Sequence, residues 1–82
     1  MTLSNGDKRW IQAGLKAHGI KDTEGLKIAL APQEDESIDL VLIPHGVSVA
    51  TYELEEGETI VELAECLQDL LEGSEVRAPS AL

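Results

Sequence analysis

The chain has 82 residues with 43% hydrophobic residues and only two aromatic ones, which predicts a single domain with a thin aliphatic core. Its one cysteine excludes a disulfide within the chain, and its longest apolar run, residues 40–43, is far too short to span a membrane. The polar start is unlike a signal peptide, and a net charge of −10 disfavours nucleic acid and anionic membranes as partners, so we expect a soluble, cytoplasmic protein.

The charge is unevenly distributed along the chain. Residues 1–27 carry five basic and three acidic side chains, whereas residues 28–82 carry one basic and thirteen acidic side chains. A strongly acidic surface attracts basic protein surfaces, but it also serves solubility alone. The composition therefore leaves both roles open.

The first predicted element is a helix over residues 5–18. Ser4 is suited to the N-cap, and Asp7 follows it at capping-box spacing. Gly19 is suited to the position after the helix, which favours a Schellman ending. Gly14 costs the helix about 1 kcal/mol relative to alanine, so we expect its missing side chain to serve a close approach of another element.

Three strands are predicted next from the alternation of apolar residues. They span residues 26–31, 38–43 and 47–54, and a tight turn at residues 44–46 joins the last two. The second and third strands are expected to form an antiparallel hairpin, which the first strand extends to a three-stranded meander.

A strongly amphipathic helix follows the strands. Thr59 is expected to cap it together with Glu62, and Gly73 to end it. Its apolar residues have the i, i+3, i+4, i+7 spacing of one helix face; they are Ile60, Leu63, Ala64, Leu67, Leu70 and Leu71. Residues 74–82 contain a proline and no periodicity, which predicts a flexible tail. The prediction is an α+β fold for residues 1–73, in the order α-β-β-β-α.

The other face of this second helix is acidic. Four carboxylates lie there at i, i+3, i+7 and i+10 without a basic residue in the helix; they are Glu62, Glu65, Asp69 and Glu72. Like charges at such spacings cost about 0.2–0.5 kcal/mol per pair in an isolated helix. Their retention favours a docking role for this face, although an ordinary solvated face has the same pattern. Glu55, Glu56 and Glu58 extend the negative surface into the preceding turn.

The sequence predicts no catalytic centre, metal site or cofactor. The acidic clusters at residues 34–36 and 53–58 lack the alternating spacing and central glycine of a calcium loop. His18 and His45 would need a third ligand to hold a metal ion, and Cys66 is expected to be a structural thiol. Phosphate-binding glycine loops and activated serine motifs are missing from the sequence.

The first helix suggests a different class of partner. Lys8 and Arg9 adjoin Trp10, whose ring could stack on a nucleic-acid base, and Lys16 and Lys21 add positive charge. However, a lone aromatic residue in a helix stripe is usually part of the core. We therefore expect Trp10 to anchor the helix to the sheet and direct nucleic-acid binding to be disfavoured.

The second strand suggests self-association. Val41 and Ile43 lie on the face opposite to Leu40 and Leu42. If both helices cover one side of the sheet, Val41 and Ile43 are left exposed, and such an apolar patch marks an interface that a homodimer would cover.

These observations favour a non-enzymatic, acidic protein-binding module. It would act as an inhibitor or adaptor that docks on the basic surface of a nucleic-acid-handling protein, steered by charge and held by an apolar anchor. A self-associating structural subunit and a weak nucleic-acid binder are the alternatives.

Overall fold

Two helices pack on a four-stranded sheet in the computed structural model, which describes residues 3–79. The elements are α1 (Asn5–Ala17), β1 (Lys27–Pro32), β2 (Ser37–Leu42), β3 (Val47–Glu53), α2 (Ile60–Leu70) and β4 (Glu75–Arg77). The α+β class is therefore confirmed, as are both predicted helices, the three predicted strands and the hairpin of β2 and β3. However, α2 ends at Leu70, before the predicted stop at Gly73.

The sheet has the order β3-β2-β1-β4 and is mixed. Strands β1, β2 and β3 are antiparallel neighbours, but β4 runs parallel to β1, with Ile28 opposite Val76. The expectation of a purely antiparallel three-stranded sheet is therefore wrong. The predicted tail is also wrong for Glu75–Arg77, which form β4, while residues 80–82 of that tail lie outside the described residues.

Strand β4 is held by its neighbours in space. The backbone N–H of Glu75 donates to the carbonyl of Leu26 at 2.7 Å. From α2, the Gln68 amide donates to the carbonyl of Ser74, and its Oε1 accepts from the N–H of Val76 at 3.1 Å. A glutamine of the helix thus supplies bonds that a further strand would otherwise provide.

One hydrophobic core lies between the sheet and both helices. Cross-strand neighbours such as Ile28 and Leu42, or Leu30 and Leu40, point to the same face because side chains alternate along a strand. Buried residues from both helices join this face; they are Ile11, Leu15, Leu63, Leu67 and Leu71. The helices therefore share one side of the sheet, and the other side is open.

Both ends of α1 follow the prediction. The Ser4 hydroxyl accepts from the N–H of Asp7 at 3.0 Å, and the Asp7 carboxylate accepts from the N–H of Ser4, which completes a capping box. At the other end, the N–H groups of Gly19 and Ile20 donate to the carbonyls of Lys16 and Leu15, the two bonds of a Schellman ending.

A β-bulge on β3 changes which side chains face the core. Leu40 pairs with Ala50, but the next residue, Val41, pairs with Ser48, so Val49 is an extra residue on β3. Val47 therefore lies opposite Leu42, on the helix side of the sheet. Without the bulge, simple alternation would place it on the face opposite to Ala50.

Candidate protein-interaction surface

Two of the carboxylates predicted on α2, Glu65 and Asp69, are exposed on the helix. The expectation that Glu72 also lies on it is wrong, because α2 ends at Leu70, but Glu72 is exposed just after this end. We call Glu65, Asp69 and Glu72 together the acidic face of α2. Glu62 is half-buried at the start of the helix. Its N–H donates to the Thr59 hydroxyl at 3.2 Å, which makes Thr59 the N-cap, and its carboxylate accepts from that same hydroxyl, which holds the Glu62 side chain at the start of the helix.

The acidic face of α2 is not neutralised by the protein's own cations. Among residues 3–79, the only ion pair within 4.0 Å joins Arg77 to Glu75, at 2.7 Å. Lys8 lines the same groove between the helices as Asp69, yet the two do not form an ion pair. The charge of the acidic face therefore remains available to an external cation.

The turn before α2 contributes fewer carboxylates than expected. Glu55 and Glu56 are exposed, but Glu58 turns inward. Its Oε1 accepts from the Tyr52 hydroxyl at 3.3 Å and from the N–H of Glu55 at 3.1 Å, and its Oε2 is buried. Burial and the neighbouring charge of Glu58 raise the pKa of Tyr52 to about 12. Glu58 therefore closes the turn, which occupies one of its oxygens and hides the other.

Val61 is a surface residue that the sequence analysis missed. It is 55% exposed and lies on α2 four residues before Glu65, so it adjoins the acidic face. The helical spacing of the apolar residues contained the signal, because Val61 is the one large aliphatic residue of the helix outside that pattern. The structure thus places an exposed apolar side chain beside the carboxylates.

Trp10 does not anchor α1 to the sheet, contrary to the prediction. It is 65% exposed, whereas Ile11 and Leu15 are almost fully buried. One residue turns a helix by about 100°, so the face centred on Ile11 and Leu15 leaves Trp10 at its edge. Trp10 borders a shallow groove with Gly14 and Val49 beside the edge strand β3.

The basic residues of α1 lie near this tryptophan. Arg9 and Lys16 are exposed, and they are seven residues apart, which places them on one side of the helix. We call these two residues the basic face of α1. Trp10 borders this face on the side of α1 towards β3.

The open side of the sheet exposes less apolar surface than expected. Val41 and Ile43, the predicted apolar interface, are both half-buried. Asp39 lies on the same open face of β2 as Val41, and its carboxylate accepts from the Thr51 hydroxyl at 3.0 Å. Polar bonds thus adjoin the small apolar patch.

The remaining chemically active side chains do not converge. His18 and His45 line one groove, but the described part of the chain holds no group of three His, Cys, Asp or Glu side chains placed to bind a metal ion. Cys66 is half-buried on α2 in a groove that Lys8 also lines. Asp35 accepts two bonds from Ser37, which lower the pKa of its carboxyl group.

Between residues 3 and 79, neither helix has the length and apolar character needed to cross a bilayer. Comparison with known proteins gives no relative: no protein-family model, no curated protein and no solved structure matches this chain.

Proposed function

We propose that this chain is a non-enzymatic protein-binding module that docks on a basic protein surface through the acidic face of α2. One observation carries the proposal: two exposed carboxylates lie one turn apart on α2, a third, Glu72, follows just after the helix, and none of the described lysine and arginine side chains lies within ion-pair distance of them. Such a face retains its full attraction for an external cation.

The neighbouring residues suit this role. Carboxylates on one side of a helix steer a basic partner during its approach, and an apolar contact then slows its release. Val61 supplies an apolar contact beside the face, and the exposed Glu55 and Glu56 extend the negative field at the start of the helix. Basic grooves of nucleic-acid-handling proteins are partners of this chemistry, since they bind closely spaced negative charges. Against such a partner the chain acts as an inhibitor or an adaptor.

A pull-down with three matched baits tests the proposal. The baits are the wild type, the α2 variant Glu65→Gln/Asp69→Asn/Glu72→Gln, and a control that removes three exposed charges elsewhere, Glu24→Gln/Glu34→Gln/Glu53→Gln. We expect the wild type and the control to retain the same basic protein from native lysate at low salt and to release it at about 1 M salt, where the Debye length is about 3 Å. The α2 variant retains none. Equal retention by all three baits, or no basic protein on the wild type, rejects the proposal.

The exposure of Trp10 favours one second candidate, the binding of single-stranded nucleic acid by α1. A ring that is 65% exposed beside Arg9 is available for stacking on a base. Trp10 is the only tryptophan, so its fluorescence reports on this surface directly. Two results support this candidate: a single-stranded oligonucleotide quenches Trp10 fluorescence at low salt, and it gives a gel shift with the wild type but not with Trp10→Ala/Arg9→Gln. Unchanged fluorescence excludes the candidate.

A further inference from the structure

The two helices form one layer with opposite charges on its two halves. They lie side by side on the sheet, and the grooves between them show how their residues are aligned. Lys8 borders one groove with Asp69, and Lys16 borders the next with Leu71. The helices therefore run in the same direction, with Lys8 near Asp69 and Lys16 near the C-terminal end of α2.

The two helices expose opposite charges. Helix α1 exposes Arg9 and Lys16, which are about two turns, or about 10.5 Å, apart. Helix α2 exposes Glu65 and Asp69, which are about one turn apart, and Glu72 follows just after its C-terminal end. A helix carrying the basic face can therefore place Arg9 against the carboxylates of α2 and Lys16 towards Glu72.

We propose that a second copy of this chain covers the helix layer, with α1 of each protomer against α2 of the other. The two layers are related by a two-fold axis that runs parallel to the helices. It lies between the two stacked layers, midway between α1 and α2, so it places α1 of one protomer over α2 of the other. It also keeps every residue at its own level, so Arg9 of one protomer meets the level of Asp69 in its partner. One operation thus forms both complementary contacts. Since neither charged face is left without a partner, the assembly closes as a dimer.

This inference rests on the proposed function, because it names the basic surface that the acidic face of α2 binds: the basic face of α1 in a second copy. Two features of the structure favour this occupant. The exposed charges of α1 and α2 are complementary, and the most exposed large apolar residues of the described chain, Trp10 and Val61, lie one on each helix of the layer. Contact between two layers removes apolar surface from water on both helices.

The net charge of −10 acts against association, and it sets the salt dependence. Repulsion between two whole protomers acts over long distances and is screened first, whereas contacting charges are screened less. We therefore expect dimerisation to strengthen from about 0.01 M to about 0.1 M salt and to weaken towards about 1 M.

Charge reversal tests the proposed pairing. The α1 variant is Arg9→Glu/Lys16→Glu, and the α2 variant is Glu65→Lys/Asp69→Lys. Each alone places like charges in both contacts, so each is expected to bind itself at least about tenfold more weakly than the wild type. An equimolar mixture contains one natural and one inverted contact, both complementary, and should restore the dimer. Circular dichroism checks that both variants fold.

Two measurements on the purified protein give the answer, sedimentation and Trp10 fluorescence from about 1 µM to about 1 mM protein. We expect the wild type to double its mass while Trp10 emission shifts to the blue and becomes protected from acrylamide, and the mixture to do the same. A wild type that stays monomeric at about 1 mM overturns the inference, and so does a dimer that both charge-reversed variants form unaided. A monomeric wild type that still retains a basic protein in the pull-down leaves the proposed function standing. A dimer with an empty pull-down leaves only the self-association.

Discussion

Gly14 is the residue at which helix and sheet come closest. A Cβ atom added to it would lie 1.9 Å from the carbonyl oxygen of Val49 and 3.0 Å from its carbonyl carbon. Both are backbone atoms that no rotamer change can move away, so α1 can lie this close to β3 only with glycine at this position. The bulge at Val49 directs this part of β3 towards the helix.

Replacing Gly14 by alanine should therefore destabilise the protein. We expect Gly14→Ala to lower the free energy of unfolding by about 2 kcal/mol, because an overpacking cost of up to about 3 kcal/mol exceeds the helix-propensity gain of about 1 kcal/mol. Urea unfolding measures this difference. Gly6→Ala is the matched control, since its Cβ would meet only the Ser4 hydroxyl oxygen at 3.8 Å, and it should be neutral or stabilising. A Gly14→Ala protein as stable as this control would contradict the close approach.

Tyr52 links the core to the turn before α2. Its ring is buried, and its hydroxyl donates to the Glu58 carboxylate, which also accepts from the N–H of Glu55. Burial is the main cause that raises the pKa of this phenol from 10.0 to about 12, and the negative charge of Glu58 adds to it. The folded state therefore keeps the phenol proton over a pH range in which the unfolded state loses it.

A loss of stability at high pH follows from this difference. Between pH 10 and 12 the folded protein binds one more proton than the unfolded chain, so the free energy of unfolding falls as the pH rises through this window. Below pH 10, Tyr52→Phe should lower the free energy of unfolding by about 0.5–1.5 kcal/mol through the lost hydrogen bond. Above pH 10, the variant should lose less stability than the wild type as the pH rises. Urea unfolding of both proteins at several pH values measures both effects. Parallel pH profiles would show that the phenol is not responsible.

At the scale of elements, β4 depends on contacts that are distant in sequence. The strand has three residues and pairs with β1 on one side only, while α2 holds it through the two bonds of Gln68. A segment this short has no stability of its own. We therefore regard Gln68 as the residue that fixes β4 to the rest of the domain.

Gln68→Ala should release β4 without unfolding the protein. Losing both bonds leaves the Val76 N–H and the Ser74 carbonyl without these partners, which we expect to cost about 1–3 kcal/mol locally. Hydrogen exchange at the amides of Glu75–Arg77 should become faster, while the amides of β2 keep their protection. Gln12→Ala, which replaces an exposed glutamine on α1, is the control and should change neither set. Unchanged exchange at β4 in Gln68→Ala would mean that pairing with β1 alone holds it.

The elements that sequence patterns predicted are those with local causes. The capping box at Ser4, the ending at Gly19 and the cap at Thr59 each involve residues only a few positions apart. Strand β4 has no such local signal, because its bonds come from Leu26 and Gln68. The bulge on β3 has no local signal either, because it is defined by the pairing of β3 with β2.

The candidate surface was predictable in part for the same reason. Glu65 and Asp69 lie where helical periodicity placed them, because that period depends on the backbone alone, whereas Glu72 lies beyond the end of α2. Trp10 was misplaced because an aromatic residue was assumed to be core, although its position relative to Ile11 and Leu15 already put it at the edge. Glu58 could not be assigned from sequence, since only folding brings Tyr52 to its side chain.

At the scale of the whole molecule, charge is arranged against stability. On α2, Asp69 lies at i+4 from Glu65, Glu72 follows just after the end of the helix, and no basic residue lies in its last turn. Carboxylates at this end also face the negative pole of the helix dipole. The folded state therefore contains repulsion that a sequence selected only for stability would not keep.

Neutralising this face should stabilise the protein while it removes binding. We expect Glu65→Gln/Asp69→Asn/Glu72→Gln to raise the free energy of unfolding by about 1 kcal/mol at low salt, from the like-charge pair of Glu65 and Asp69 and from the dipole contribution. The gain should vanish at about 1 M salt, because these charges are exposed and therefore screened. Urea unfolding at both salt concentrations, with protein dilute enough to be monomeric, measures this change.

The control variant Glu24→Gln/Glu34→Gln/Glu53→Gln separates a local effect from a global one. It reduces the net charge by the same amount, but none of its three residues lies in a helix. A smaller gain in this control shows that the spacing on α2 causes the repulsion, and that a surface costly to the isolated domain is kept for contact with a basic partner. Equal gains in both variants would instead attribute the effect to the net charge of −10, and the acidic face would then have no special place in the molecule.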